Sequence, residues 1–146
     1  MDKHDLEILD ILKKDSRMSA RQISELAGLT APAVTERIRK LESNGTIQQY
    51  TIKKDRRSCG RSILAFTLVK IDRTGNTSNF KNALTKYPSV LECHKVTGAY
   101  DYLLKIEAAD IPGLETFLST KVKQVRGVGE THTLITLDSL KEEANG

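Results

Sequence analysis

Arg39 and Thr35 lie four residues apart and have side chains suited to reading double-stranded DNA. An arginine can donate two parallel hydrogen bonds to guanine in the major groove, and a threonine can contact a thymine methyl group or a phosphate. The apolar residues Val34, Ile38 and Leu41, at helical spacing, must face a core, which turns the polar side chains outward. We therefore predict a DNA-reading helix whose candidate contacts are Pro32, Thr35, Glu36, Arg37, Arg39 and Lys40.

The sequence before this helix predicts two further short helices, the first over about residues 6–14. Ser19 and Gln22 have the spacing of a capping box, which starts the second helix. Gly28 suits a left-handed helix end, and Thr30 can cap the third helix. Two short helices joined by a tight glycine-containing turn form a helix-turn-helix unit. The residues expected to contact phosphate or to start the reading helix are Ser19, Arg21, Gln22 and Thr30.

A basic stretch follows from Arg37 to Arg57, in a chain whose formal net charge is +4. Only Glu42 and Asp55 oppose its positive charge. Such a stretch suits a phosphate backbone, although a solvated surface would have the same composition. Its basic residues are Arg37, Arg39, Lys40, Lys53, Lys54, Arg56 and Arg57.

The segment after Gly45 predicts a strand, because Ile47, Tyr50 and Ile52 recur with polar residues between them. A charged turn at 53–57 follows this strand and gives the unit the form of a winged helix-turn-helix. Apolar residues are scarce around Cys59 and Gly60. We therefore predict a DNA-binding domain over 1–55, a linker over 56–62 and a second domain over 63–146.

The second domain has the pattern of a ferredoxin-like β-α-β-β-α-β fold, which makes the whole chain α+β. A sheet of this kind covers one face with two helices, and its other face must find a partner, so we expect a homodimer. The predicted strands are Ile63–Ile71, Val90–Val96, Tyr100–Ala108 and Thr131–Leu137, and the predicted helices are Asn76–Tyr87 and Ile111–Val122.

The loop between the second and third predicted strands has the chemistry to hold a free amino acid. Gly98 allows the backbone to bend and to bring N–H groups toward a carboxylate, and Asp101 could hold an ammonium group. An ordinary hairpin turn would use the same residue types. The residues alone leave both interpretations open.

Several classes of protein are not expected from the composition. No run of eighteen apolar residues and no secretory signal is present, so we expect no membrane contact and a cytoplasmic location. Two cysteines, Cys59 and Cys93, are too few for a disulfide framework. The histidines are not spaced for a metal site, and no nucleotide-binding loop or activated nucleophile is visible, so we predict no catalytic or metal-binding residues and no enzyme.

Four segments closely resemble the Lrp/AsnC family of leucine-responsive and asparagine-responsive transcriptional regulators. They are LEILDIL at 6–12, SARQISELAGLT at 19–30, VTERIRKLESNGTI at 34–47 and VTGAYDYLL at 96–104. The resemblance extends over the whole chain. It implies a sequence-specific DNA-binding regulator that is modulated by an amino acid, with no other cofactor.

The same resemblance implies how the second domain works. In similar proteins it binds small effectors and assembles dimers into tetramers or octamers. The positions that match the effector site of the family are Gly98, Tyr100, Asp101, Thr131 and Thr133.

Two alternatives remain open from the sequence. The first is a nucleoid-associated architectural protein that binds DNA with weak sequence preference and responds to no effector. The second is the regulatory subunit of an amino-acid metabolic enzyme, since ferredoxin-like domains also have that role. The helix-turn-helix and the basic stretch argue against the second alternative.

Overall fold

The computed structural model describes residues 1–72 and 77–146, and the chain divides into two compact units. The first unit contains Met1–Lys53 together with Glu143–Gly146, and the second contains Lys54–Glu142. Within the described residues, no helix is long and apolar enough to cross a membrane.

The first unit contains three helices, α1 (Lys3–Lys14), α2 (Ala20–Ala27) and α3 (Ala31–Ser43). Helix α1 begins earlier than predicted because Asp2 and Asp5 form a capping box. The capping box of Ser19 and Gln22 at the start of α2 is confirmed. Gly28 ends α2 in the left-handed conformation, at φ +67°, as its sequence position predicts.

The core of the first unit is formed by one buried stripe from each helix. Ile8, Ile23 and Val34 are fully buried, and Leu41 is nearly so, which confirms the orientation predicted for α3. Although the helical spacing of Ile23, Leu26 and Ala27 predicts that all three are buried, Leu26 does not belong to this core. Ile23 and Ala27, one turn apart, face the core, whereas the side chain of Leu26 is 65% exposed.

The strand predicted through residues 47–52 does not form. Ile47 packs against the helical core, and its N–H donates to the carbonyl of Leu41 at 2.9 Å. Tyr50 donates its hydroxyl to Glu42 on α3 at 2.7 Å, and Ile52 is 83% exposed. A single extended segment cannot satisfy its backbone as a strand without a neighbouring strand to pair with, so residues 48–55 remain irregular.

The second unit is a four-stranded antiparallel sheet with the order β2-β3-β1-β4. The connectivity β-α-β-β-α-β confirms the predicted ferredoxin-like arrangement. Its strands are β1 (Ile63–Ile71), β2 (Val90–Lys95), β3 (Tyr102–Ala108) and β4 (Val128–Ile135). Its helices are α4 (Thr77–Leu84) and α5 (Ile111–Phe117), the latter extended by a π-helical turn at Leu118–Val122.

Some predicted bounds in this unit require correction. Strand β4 begins at Val128 and ends at Ile135, shifted toward the N-terminus from the predicted 131–137. Helix α4 ends at Leu84 rather than at Tyr87, and its predicted first residue, Asn76, lies outside the described residues. Strands β2 and β3 are joined by a longer loop than predicted, because β2 ends at Lys95 and β3 begins at Tyr102.

The two faces of the sheet differ in what covers them. One face packs against the helices through a core that includes Val69, Phe80, Leu104 and Ile106. Side chains alternate along each strand, so the residues between the core positions point to the opposite face, hereafter the outer face. The outer face carries the apolar side chains of Phe66, Leu68, Leu103 and Leu134.

Residues 56–61, part of the predicted linker, form turns that belong to the second unit. Glu107, on β3, has a buried carboxylate between two guanidinium groups. Its oxygens lie 3.5 Å from Arg56 Nε and 3.7 Å from Arg61 Nε. Arg61 also donates to the hydroxyl of Ser89 at 2.7 Å. These contacts explain why this stretch is part of the second unit.

Candidate DNA-binding and effector-binding sites

The outward face of α3 holds most of the predicted DNA contacts together. Because Val34 and Leu41 are buried, the opposite side of the helix is exposed to solvent. Thr35 donates its hydroxyl to the carbonyl of Ala31, one turn earlier. The exposed candidates on this helix are Pro32, Thr35, Glu36, Arg39 and Lys40.

Glu36 and Arg39 form a two-point ion pair on this face. Arg39 Nε donates to Glu36 Oε2 at 2.9 Å, and Arg39 Nη2 donates to Glu36 Oε1 at 2.7 Å. The hydrogen bonds from Arg39 hold the pKa of the Glu36 carboxyl below its usual value and raise the pKa of Arg39. Lys40 Nζ lies 3.9 Å from the same carboxylate. Two hydrogen bonds to one carboxylate therefore fix the plane of the Arg39 guanidinium relative to Glu36.

Arg37 is on the flank of α3 and has a different environment. Its Nη1 donates to Asp2 at 2.7 Å and to Asp5 at 2.9 Å, which links α3 to the start of α1. The Arg37 hydrogen bond, with that from the Asp5 N–H, lowers the pKa of Asp2 to about 2. The sequence predicts Arg37 as a DNA contact, and in the structure its guanidinium is half-buried and already paired.

Three of the four candidates at the starts of α2 and α3 form helix-capping hydrogen bonds. Ser19 and Gln22 bond to one another's backbone and side chain, and Thr30 accepts from the N–H of Ala33 at 3.3 Å. Arg21 is exposed and lies 3.9 Å from Glu25, one turn along α2. Of these candidates, Arg21 has the side chain most available to a phosphate.

In the structure, several basic residues of the stretch from Arg37 to Arg57 form ion pairs with carboxylates. Arg37 and Arg39 have carboxylate partners on the first unit. Arg56 contacts Glu107 and donates to Glu142 at 2.8 Å, both within the second unit. Sequence proximity therefore overstates the positive charge available to a phosphate backbone.

The loop at 97–101 brings the predicted effector residues Gly98, Tyr100 and Asp101 together. Gly98 has φ +107°, a conformation that side chains rarely adopt. Asp101 accepts from the N–H of Ile71 through Oδ2 at 2.7 Å, and its own N–H donates to the carbonyl of Val69 at 2.9 Å. The Asp101 carboxylate thus supports the end of β1, where the pairing with β4 shifts register.

Thr131 and Thr133 lie on β4, on the helix-covered face of the sheet. Thr133 is opposite the buried Thr67, and their hydroxyls are 3.0 Å apart, whereas Thr131 is opposite Val69 of the core. The structure therefore places these two candidates on the face opposite that of His132, their neighbour on β4.

Glu130 and His132 were missed by the sequence analysis, and they lie beside Tyr100. The Tyr100 hydroxyl donates to Glu130 at 3.3 Å, and the Tyr100 and His132 rings are 6.4 Å apart. Burial, together with the charge of Glu130, raises the pKa of Tyr100. The alternation of side chains along a strand could have indicated that Glu130 and His132 share one face. The predicted strand begins at residue 131, however, and so does not include Glu130.

The cysteines and histidines are not assembled into a centre. Cys93 packs toward the core while His94, next to it, is exposed and bonds to Glu92 at 2.9 Å. Burial raises the pKa of the Cys93 thiol. In the part of the chain that the structure describes, no three His, Cys, Asp or Glu side chains are grouped to hold a metal ion.

Comparison with known protein families identifies both units. The model of the Lrp/AsnC ligand-binding domain matches residues 64–145, and that of a winged helix-turn-helix DNA-binding domain matches residues 1–48. The chain belongs to the Lrp/AsnC family. This Lrp/AsnC protein is a DNA-binding transcriptional regulator, as its resemblance to the family predicts.

Individual relatives agree with the family assignment. The HTH-type transcriptional regulator FL11 of Pyrococcus horikoshii is 38% identical over 97% of this chain and 93% of its own. A transcriptional regulator of Neisseria meningitidis, solved with L-methionine, superposes with a TM-score of 0.94 at 27% identity, covering 99% of this chain and 94% of that one. The feast or famine regulatory protein of M. tuberculosis, also solved with L-methionine, gives a TM-score of 0.92 at 25% identity, covering 99% and 97%.

Proposed function

We propose that α3 reads bases in the major groove of double-stranded DNA, while the start of α2 contacts the phosphate backbone. The observation that carries this proposal is the orientation of α3, since burial of Val34 and Leu41 turns its polar side chains to solvent. A helix with this division of faces fits the major groove. The proposed contacts are Ser19, Arg21, Gln22, Thr30, Pro32, Thr35, Glu36, Arg37, Arg39 and Lys40.

The second unit is proposed to bind a free amino acid at the loop around Gly98. The L-methionine complexes of two similar proteins support an amino acid as the class of ligand. Backbone N–H groups of the loop suit the ligand's carboxylate, and acidic side chains suit its ammonium group. The proposed residues are Gly98, Tyr100, Asp101, Thr131 and Thr133, with Glu130 and His132 added from their position beside Tyr100.

The outer face of the sheet is proposed to form a homodimer, and dimers are proposed to join into tetramers or octamers. Its apolar side chains would leave water in such a contact. Residues 1–55 would then bind DNA, residues 56–62 would connect the domains, and residues 63–146 would assemble the oligomer and bind the effector. A DNA-binding role assigns the protein to the cytoplasm, at the nucleoid.

The amino acid is proposed to act by favouring one assembly of dimers over another. A change in packing between dimers alters the spacing of the reading helices, and therefore the set of half-sites that fits. A ligand can shift such an equilibrium only by the difference in its affinity for the two assemblies.

A gel-shift titration tests this function. DNA from upstream of the protein's own gene is compared with random DNA of equal length, at fixed salt, with and without the twenty amino acids and with L-methionine alone. Salt is fixed because phosphate contacts make DNA affinity strongly salt-dependent. A preference for the upstream DNA that changes with amino acids supports the proposal. Equal binding to both DNAs, without a response, favours the architectural alternative, and no binding overturns both.

A further inference from the structure

We infer that Glu36 is a positioning residue for Arg39, and that the two side chains recognise one guanine as a unit. This inference rests on the proposed function, because it assigns roles within the same DNA-reading face.

The geometry of the pair leaves one edge of the guanidinium open. Glu36 occupies the edge formed by Nε and one N–H of Nη2, at 2.9 and 2.7 Å. Among the residues that the structure describes, no other side chain bonds to Arg39. One N–H of Nη1 and the second N–H of Nη2 therefore remain available as a pair of parallel donors.

Those remaining donors match the acceptors of a single base. Guanine presents O6 and N7 side by side in the major groove, and an arginine that donates to both distinguishes guanine from the other bases. The carboxylate of Glu36 fixes the plane of the guanidinium before DNA arrives. Less side-chain freedom is then lost on binding, which favours the one orientation that fits.

Helix geometry holds both partners on the DNA-facing side. Glu36 and Arg39 are three residues apart, so their side chains are neighbours on the surface of α3. Both are more than half exposed, and the buried side of the helix fixes its rotation through Val34 and Leu41. Arg37, on the flank, donates instead to Asp2 and Asp5 through Nη1, and its side chain is 29% exposed against 62% for Arg39.

Glu36 should therefore have opposite effects on specific and on nonspecific binding. Its negative charge lies on the face that approaches phosphates and opposes binding to any DNA. Its hydrogen bonds orient Arg39 and so favour the DNA that carries guanine at one position. A residue with only a structural role in α3 would lower both kinds of binding together.

The test begins with duplexes that the wild-type full-length protein selects from a randomised library. Affinities of the wild type, Glu36→Gln, Arg39→Ala and the double variant are then measured for a selected duplex and for a scrambled duplex of equal length. The matched control is Glu25→Gln, an exposed helical glutamate whose carboxylate lies 3.9 Å from Arg21, at a longer distance than in the Glu36–Arg39 pair. Circular dichroism checks that every variant is folded.

We expect Glu36→Gln to lower the ratio of selected to scrambled affinity about tenfold, within the range of a bidentate base contact, while binding to scrambled DNA stays equal or strengthens. The loss should be confined to one G·C pair when each base pair is substituted in turn. Glu36→Gln should add little to Arg39→Ala, because the two side chains act together. Glu25→Gln should keep the wild-type ratio.

A Glu36→Gln protein that keeps the wild-type ratio overturns the inference and leaves the proposed function intact. An equal loss on selected and scrambled DNA also overturns it, since Glu36 would then have a structural role only. A wild-type protein that selects no sequence from the library overturns the proposed function, and the inference with it.

Discussion

Arg37 and Arg39 show how two arginines on one helix acquire different roles from their neighbours. Arg39 has a single carboxylate partner, is exposed and keeps one edge of its guanidinium open. Arg37 donates to both acidic residues of the α1 capping box and is half-buried. Substitution of Arg37 therefore removes contacts between α3 and the start of α1, so its main effect should be on the stability of the first unit.

The first prediction concerns the pKa of Asp2, the carboxylate that pairs with Arg37. Arg37→Met should return the pKa of Asp2 from about 2 toward its ordinary value of 3.8, because the main hydrogen bond to the carboxylate is lost. A lowered folded-state pKa stabilises the fold above the unfolded value, and this contribution is lost as the pH falls toward about 2. NMR titration of the Asp2 carboxyl carbon measures the shift. Arg39→Met is the control and should leave Asp2 unchanged.

The second prediction tests whether Asp101 has a structural role in the second unit, in addition to its proposed role in binding an effector. Asp101→Ala removes the acceptor of the Ile71 N–H and should lower stability by about 1–3 kcal/mol, the cost of an unsatisfied, partly buried donor. Asp101→Asn retains a side-chain oxygen and should melt near the wild-type temperature. Thermal unfolding followed by circular dichroism compares the two variants. Equal melting temperatures for Ala and wild type would show that the carboxylate has no structural role.

At the scale of elements, the orientation of α3 and the order of strands in the second unit were predictable, whereas the register of strand pairing was not. The spacing of Val34 and Leu41 determines which face of α3 is buried, since a helix positions its own side chains through local geometry. Ile47, Tyr50 and Ile52 are separated by polar residues, as in a strand, but this segment has no strand to pair with among the described residues. The position of Glu130 beside Tyr100, like the bond from Ile71 to Asp101, depends on long-range register, which no local pattern contains.

The third prediction tests the orientation of α3. Val34→Asp should unfold the first unit, because a carboxylate would replace a fully buried side chain without a partner. Thr35→Asp, the adjacent exposed position, should leave the unit folded. Two-dimensional NMR would show loss of dispersion for residues 1–53 in the first variant only. A folded Val34→Asp protein would contradict the assigned orientation.

At the scale of the whole molecule, each unit has its own core, and the sheet of the second unit leaves part of its outer face exposed. The first core contains Ile8 and Val34, and the second contains Phe80 and Leu104. The outer face of the sheet keeps Leu134 52% exposed, together with partly exposed Phe66 and Leu68. An apolar surface of this kind is typical of an interaction site.

The fourth prediction concerns assembly. Leu134→Glu should shift the protein toward smaller species, because association through the outer face would bury an unpaired charge. Ile111→Glu is the matched control, since Ile111 is comparably exposed, at 48%, at the start of α5 on the other side of the sheet. Sedimentation velocity over a range of concentrations distinguishes the variants. Equal sedimentation of Leu134→Glu and wild type would exclude the outer face as the contact.

The hydrogen bond between the Ile71 N–H and the Asp101 carboxylate gives the second unit an internal reporter. Asp101 accepts this bond through Oδ2, at 2.7 Å, and its other oxygen has acceptor capacity of its own. An amino acid whose ammonium group displaces the Ile71 N–H from Oδ2 would weaken this bond, and the Ile71 amide would then exchange faster with deuterated solvent. A ligand held by Glu130 alone would leave that exchange rate unchanged. A single amide thus distinguishes two modes of effector binding.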